Sequence, residues 1–440
     1  MRWPGWCDVA SVGKVRRHRR ARLTIRLTGC GVTDTVAPMG SSIFGRATRT
    51  DPRPCDGVET RFQFLNRVDQ PYYARIRNLI DDWFSGFPEG PNKADLGARL
   101  RSDDVNHRAA FWELWLHEFL TRCGYSVEVH PECPDGVHRD FRVRTNEESF
   151  YLEAHCFFDS VEERGKARRL AMFKRDLAAR MTLPRHLVRM LVHEVGPEAA
   201  PVRSLARHIQ DASRTVAPRQ FQPVASLDQR GWQITFWLYG IDAAAEPMLT
   251  THIDITQSGV QSALAFHIQP LRDAITAKAR RAQWLDLPYV VAINFCHATH
   301  YALRPIDLHQ ALVGTQTTVL GPDRRLEELR NNRDGVWVAG EDARTPSVSA
   351  LVIAKDMAAD YAASTLPTLY RHPFARLPLR TRIALPTAQF ASDPDVEPTI
   401  LEAPISAHDL FGLPGDWRRF GSEGEMGSPA RDRGAASLTA

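Results

Sequence analysis

No long hydrophobic run occurs in this chain. Across its 440 residues no apolar stretch approaches the roughly 20 residues that a membrane span needs, which argues against an integral membrane protein. Cysteine is scarce: seven residues (Cys7, Cys30, Cys55, Cys123, Cys133, Cys156, Cys296), odd in number and scattered. That excludes a disulfide framework of the secreted kind and implies reduced thiols and a cytoplasmic home. The basic N-terminus is not followed by the apolar segment of a secretory signal. Several catalytic signatures are also missing. There is no G-x-S-x-G elbow, no Walker A loop and no G-x-G-x-x-G turn. His117-Glu118 does not extend to H-E-x-x-H, because residue 121 is Thr. No internal repeat is visible.

What is present is ordinary globular material, 43% hydrophobic and 25% charged, enough to bury a core in two or three domains or one elaborated domain. Positive charge is concentrated at the start. Residues 1–38 hold eight Lys/Arg and two acids, a net +6, against +4 for the whole chain, so the remainder sums to −2. A tail of this kind can hold nucleic acid without sequence preference; the plainer reading is an extension with no role of its own, and Met39 is an alternative start. The expected organisation is a basic, disordered tail over 1–60, a helical addition over 61–103, a core over 104–300, an extension over 301–412 packed on that core, and a disordered tail over 413–440.

The most informative stretch runs from His107 to Cys156. Its first part, H-R-A-A-F-W-E-L-W-L-H-E-F-L, has helical spacing. Glu113 shares a face with Ala109, Ala110, Leu116 and Leu120 and so points inward. Gly124 ends the helix in the manner of a C-cap glycine. Tyr125 to His130 alternates as a strand does, Asp140 opens a second strand, and Ser149 to Phe157 reads as a third. Period two puts Tyr151, Glu153 and His155 on one face of that third strand, with Glu153 and His155 about 7 Å apart. Three consecutive elements thus each offer a carboxylate: Glu113, Asp140 and Glu153. A divalent cation such as Mg²⁺ (or Mn²⁺) takes hard oxygen ligands of this kind, typically one or two carboxylates plus phosphate and water.

Each of these residues has an ordinary alternative. Glu113 is the type of residue that serves as an internal ion-pair partner, and Asp140 the type that caps a turn. Glu153 is the harder to explain away, because a carboxylate within an apolar strand is costly without a partner or a metal. Cys123, His130, Cys133 and His138 are zinc-ligand types within sixteen residues, but their spacing lacks the paired rhythm of a structural zinc site.

In its helix, its strand Asp and its E-x-H strand, the stretch resembles the core of the PD-(D/E)XK nuclease superfamily, the restriction-endonuclease-like fold, and more narrowly an actinobacterial-type branch with an F-W-E-L-x-L-H-E helix. The resemblance covers about fifty residues. It implies an α/β fold of restriction-endonuclease-like type, a mixed sheet flanked by helices, with the helical N-terminal addition and the C-terminal extension attached. It also implies that Glu113, Asp140 and Glu153 bind metal, with His155 in the place of the usual Lys. The Pro that normally precedes the Asp is replaced by Arg139.

The rest of the chain is compatible with such a core. Tyr72 to Phe87 reads as an amphipathic helix. Val161 to Met181 reads as a long helix carrying Lys166, Arg168 and Arg169, which together with Lys278 are candidates to contact a phosphate backbone; a solvated helix face is the competing reading. Leu187 to Val195 and Trp232 to Gly240 read as strands, with a helix and a Pro-rich loop between them. Pro270 opens a helix running to Ala282, and Leu287 to Asn294 is the most buried-looking strand. Asp307 to Val313 reads as a helix, Thr315 to Gly335 as an exposed loop, Val348 to Ala354 as a strand and Pro367 to Leu379 as extended chain. The functional expectation is a metal-dependent phosphodiesterase, a nuclease acting on nucleic acid. The alternative is a catalytically inactive protein of the same fold serving as a binding or scaffold module. The Lys-to-His change, the absent Pro and the acidic remainder of the chain favour the latter.

Overall fold

The computed structural model describes residues 42–242, 252–257, 268–296, 305–320, 326–337, 344–363, 366–390 and 398–417. Four helices open the described chain: α1 (Arg61–Arg67), α2 (Pro71–Gly86), α3 (Pro91–Leu100) and α4 (Asp104–Arg122). The last of these is the organising element. Asp103 caps it by accepting from the Val105 and Asn106 amides, and Gly124 turns the chain away at φ +79°, a conformation that costs glycine little. Its residues Ala110, Phe111, Trp112, Leu114, Trp115 and Leu116 are all buried. A helix apolar nearly all round must be covered nearly all round. Here the other N-terminal helices lie on one side and a sheet on the other, and Trp112 Nε1 donates to the Ala292 carbonyl within that sheet at 3.0 Å.

The meander follows as the alternation predicts: β1 (Ser126–Val129), β2 (Phe141–Arg144) and β3 (Ser149–Phe158), paired antiparallel. After β3 the chain leaves the sheet and forms a second layer: α5 (Val161–Ala178), β4 (His186–Glu194), α6 (Val202–Ser213), β5 (Phe221–Gln229), β6 (Trp232–Gly240) and β7 (His252–Gln257). It returns through α7 (Ile268–Arg281) to β8 (Tyr289–Cys296), then α8 (Pro305–Leu312), the hairpin β9 (Gln316–Leu320) and β10 (Leu326–Asn331), then β11 (Ala350–Lys355), β12 (Thr368–Arg371), β13 (Thr387–Gln389), β14 (Thr399–Leu401) and α9 (Ala407–Phe411).

The main sheet has the order β1-β2-β3-β8-β11-β12-β13-β14. Its centre, β3-β8-β11, is parallel. All eight residues of β8 are buried, as expected of a strand covered on both faces. One face packs Leu152, Val290, Ala292 and Val352 with the helical side that includes α4. The other packs Tyr151, Val291, Ile293 and Leu351 with Leu271 and Ile275 of α7 and Leu308 of α8. The architecture is therefore mixed α/β, with a large mixed sheet flanked by helices.

Several expectations need correction. The C-terminal stretch does not pack on a finished core, because β11 to β14 extend the same sheet. The region 104–300 is not one layered unit, since α5 to β7 form their own four-stranded sheet, order β5-β6-β4-β7. Order begins before residue 61, as Ile43 and Phe44 are buried, and it continues past 413, as Trp417 is buried and donates to the Ala359 carbonyl. The stretch read as an exposed loop, 315–335, contains the β9-β10 hairpin. The expectations for residues 1–41 and 418–440 lie outside the described residues. Among the described residues no helix is long and apolar enough to cross a membrane.

Candidate functional site

The β2 and β3 strands are unequal. Pairing covers only Ser149 to Leu152 of β3, so Glu153 to Phe158 have no ladder partner on that side among the described strands. Tyr151 N–H donates to the Pro288 carbonyl, on the β8 side. By alternation the amides of Ala154, Cys156 and Phe158 face the open side. Asp140 sits at the head of this notch, immediately before Phe141 pairs with Leu152, and its Oδ2 accepts the Ala154 N–H at 2.6 Å. The sequence placed Asp140 at a strand start; the structure adds that the strand ends there and leaves its neighbour bare.

Asp140 has no cation within ion-pair distance among the described residues. Burial, and then the neighbouring carboxylates of Glu113 and Glu153, push its pKa up to about 7; the Ala154 amide and Lys278 act in the opposite direction. All three predicted carboxylates therefore act on one another at Asp140. They arrive by different routes. Glu113 comes from α4, on the Ala154 side of the sheet. Glu153 comes from the opposite face of β3, which it shares with His155, and Asp140 lies at the edge between them.

The two glutamates are each held by basic neighbours. Arg99 of α3 grips Glu113 with two hydrogen bonds of 2.6 and 2.7 Å. Glu153 accepts from Lys278 Nζ of α7 and from the Tyr289 hydroxyl of β8, and the buried Arg139 Nε lies 3.7 Å away. Burial alone would raise the Glu153 pKa, but Lys278, Tyr289 and Arg139 outweigh it and hold it low. Beside it, burial and the Lys278 charge depress the pKa of His155 below the ordinary imidazole value, despite the opposing charge of Glu153. His155 is thus a neutral, proton-accepting group at pH 7.

Lys278 was expected on a nucleic-acid-contacting surface. It is instead turned inward, its side chain 16% exposed, onto Glu153. Lys166, Arg168 and Arg169 remain on α5: Lys166 pairs with Glu162 and Glu163, Arg169 ties α5 to the Gly196 carbonyl, and Arg168 is exposed. Arg99, Tyr289 and Arg139 were not foreseen as site residues, although the presence of Arg139 where the resemblance calls for Pro was itself a signal. Of the four zinc-ligand types, Cys123 packs against the α4 core and Cys133 is buried on the opposite face. Among the described residues, no three His, Cys, Asp or Glu side chains are gathered as a ready metal-binding group. A separate cavity of about 530 Å³ opens among α1, α2, α4 and residues 356–361; its two cations are already matched, Arg61 by Asp360 and Arg108 by Asp356.

No protein-family model matches this chain, and no curated protein or solved structure matches it significantly.

Proposed function

We propose that the notch at Asp140 is the centre of a metal-dependent phosphodiesterase, a nuclease of restriction-endonuclease-like type. The observation that carries the reading is Asp140 itself: a carboxyl at an open strand edge, its pKa pushed up to about 7 by burial and two further carboxylates, with no cation within ion-pair distance among the described residues. A divalent ion suits this place, because Mg²⁺ needs only one or two protein carboxylates and completes its shell with water and phosphate. Asp140 and Glu153 are the residues that would hold it, and Glu113 would bind its water or a second ion. When bound, such an ion supplies Lewis acidity toward a phosphoryl oxygen and toward water.

The chain's own residues do the rest. Lys278 reaches Glu153 from α7 and so brings a permanent positive charge to the strand position where the superfamily's Lys is replaced by His155. Its ammonium can stabilise charge that develops on a phosphate. His155, neutral, accepts a proton from an attacking water. Arg139 and Tyr289 fix the Glu153 carboxylate in place.

The second reading, a binding or scaffold module without catalysis, is favoured by one observation: Glu113 and Glu153 are already satisfied by Arg99, Lys278 and Tyr289. Cleavage assays with labelled single- and double-stranded oligonucleotides in Mg²⁺ or Mn²⁺ separate the two. The nuclease reading expects cleavage that falls at least ~10³-fold in Asp140→Asn and Glu153→Gln, the scale of losing a metal-bound, charge-stabilising group. Wild type that is inert with both metals on every substrate supports the scaffold, and cleavage that survives both substitutions refutes the site.

A further inference from the structure

The inserted layer has a covered face and an open one. On the covered face Trp232, Ile234, Phe236 and Leu238 of β6, with Val188, Met190 and Val192 of β4, pack against Phe173 and Leu177 of α5 and Leu205 and Ile209 of α6. The residues between them point the other way. Trp237 is half-buried, Tyr239 is 38% exposed, and Phe221, the register partner of Tyr239 on β5, is 58% exposed. Arg189 of β4 is exposed and stands opposite Trp237.

Charge singles out the same layer. Residues 159–257 hold fourteen Lys/Arg and eleven Asp/Glu, a net +3. With +6 in residues 1–38 and +4 for the whole chain, everything else sums to −5. The inserted layer is thus a basic module on an acidic body. On its open face Arg189 lies in the row of Trp237. Arg219 and Arg185 flank the Tyr239 end, both hydrogen-bonded to Asp242.

We infer that this open face binds single-stranded nucleic acid, with Phe221, Trp237 and Tyr239 as stacking surfaces for unpaired bases. Three rings on two neighbouring strands, with Trp237 and Tyr239 about 7 Å apart along β6, give successive bases of an extended strand separate rings to lie on. Stacking requires exposed base faces, which a duplex keeps covered, so the surface selects single strands. Positive charge supplies the attraction to the phosphates. Beyond the rings the face continues into polar Thr235, Gln233 and His193, and the aliphatic residues that share it, Leu187 and Leu191 of β4, are only partly exposed. As a statement about substrate, the inference rests on the nuclease reading of the Asp140 notch and narrows it to single strands; as a statement about binding, it is tested without cleavage.

The experiment is fluorescence anisotropy of the full-length chain in EDTA with fluorescein-labelled dT₁₅, U₁₅ and a blunt duplex of the same length. The expected result is binding of either or both single strands at least tenfold tighter than the duplex. Phe221→Ala and Tyr239→Ala should each weaken it about five- to a hundredfold, the range for losing one base–aromatic stack, with unchanged melting temperature. Trp284→Ala, an aromatic 78% exposed outside this layer, should leave binding intact. Equal affinity for duplex and single strand, or affinity indifferent to both substitutions, overturns the inference. So does a fall in sedimenting mass on substitution without loss of affinity, which marks the face as a self-association surface. A wild type that binds single strands in this way but does not cleave them removes the nuclease reading alone.

Discussion

The two larger sheets of this protein solve the same problem differently. The main sheet is buried on both faces at its centre, where strand β8 has no exposed residue. The inserted sheet is buried on one face only, and β6 alternates buried and outward residues along its whole length. Chemistry follows that difference. In the main sheet, polar groups collect where covering fails, at the edge of β3 beyond the end of β2. In the inserted sheet the second face of β4 and β6 points outward, and with Phe221 of β5 it displays rings and positive charge. A doubly covered sheet makes a rigid frame that holds a few groups to position, whereas a half-covered sheet offers area.

The largest effect that would sharpen this contrast is at the notch. Lys278→Ala should reduce cleavage by at least ~10²-fold, the scale of removing one preorganised charge-stabilising group, while anisotropy with dT₁₅ stays within twofold. Equal losses of cleavage and binding would erase the distinction between frame and surface. Next comes the buried side of the inserted sheet. Trp232 is fully buried and its Nε1 donates to the Glu198 carbonyl. Trp232→Ala should cost about 3–5 kcal/mol, seen as an early unfolding step in calorimetry that leaves the main transition in place. A single unshifted transition would mean that the two sheets melt as one body.

Asp140 gives a smaller effect with a definite sign. Its folded pKa of about 7 stands above the ordinary 3.8, so between those values the folded state holds a proton that the unfolded chain releases. The stability contributed by that proton is complete below about pH 4 and is lost as pH rises through 7. Asp140→Asn abolishes the titration. It should therefore be more stable than wild type at pH 8, by on the order of 1–3 kcal/mol, and no more stable at pH 4. Chemical denaturation at the two pH values checks this, and a gain that is larger at pH 4 would show the cause to be something else. Smallest of all, Phe221→Ala on the open face should change stability by no more than about 0.5 kcal/mol, as exposed substitutions do. A loss above 2 kcal/mol would mean that this ring is packed.

Local pattern made much of this legible. The stretch from Asp103 to Phe158 was readable because helix α4 and strands β1 to β3 each carry their own periodicity, and because a carboxylate inside an apolar strand stands out. Glu113, Asp140 and Glu153 stand out as candidates for that reason. Lys278 was visible as a cation but not as a partner of Glu153, from which it lies 125 residues away. Nothing local states which helix will cross which strand. β5 was hidden by Pro223, which ordinarily argues against a strand; at β5, an edge strand, the register slips between Pro223 and Ala225 and absorbs it. The tight turn that joins β5 to β6, Arg230-Gly231 with φ of +55° and +75°, is the two-residue left-handed hairpin type, but Arg at its first position obscures the usual Asn-Gly signal. The extension of the main sheet by β11 to β14 was illegible for a different reason: strand order is a property of long-range packing, and although β11 is legible as a strand, β12 to β14, of three or four residues each, carry little pattern of their own.

The place of the insertion has a kinetic consequence. In the finished sheet Tyr151 stands beside Tyr289, so β3 must wait for a strand that leaves the ribosome well over a hundred residues later. Synthesis at about 5–20 residues per second makes that interval several seconds or longer, whereas a hairpin such as β5-β6 closes in microseconds. The inserted layer, built largely from neighbours in sequence, can therefore assemble while β3, paired with β2 only over Ser149 to Leu152, still has a bare edge along its whole β8 side. An edge strand left unpaired is a template for wrong partners, and in β3 the exposed run would include Phe150, Tyr151, Leu152, Phe157 and Phe158. Premature folding of the layer between the two halves of the main sheet shortens the effective loop that β8 must close. It leaves β3 waiting beside a compact, charged neighbour instead of a long free chain.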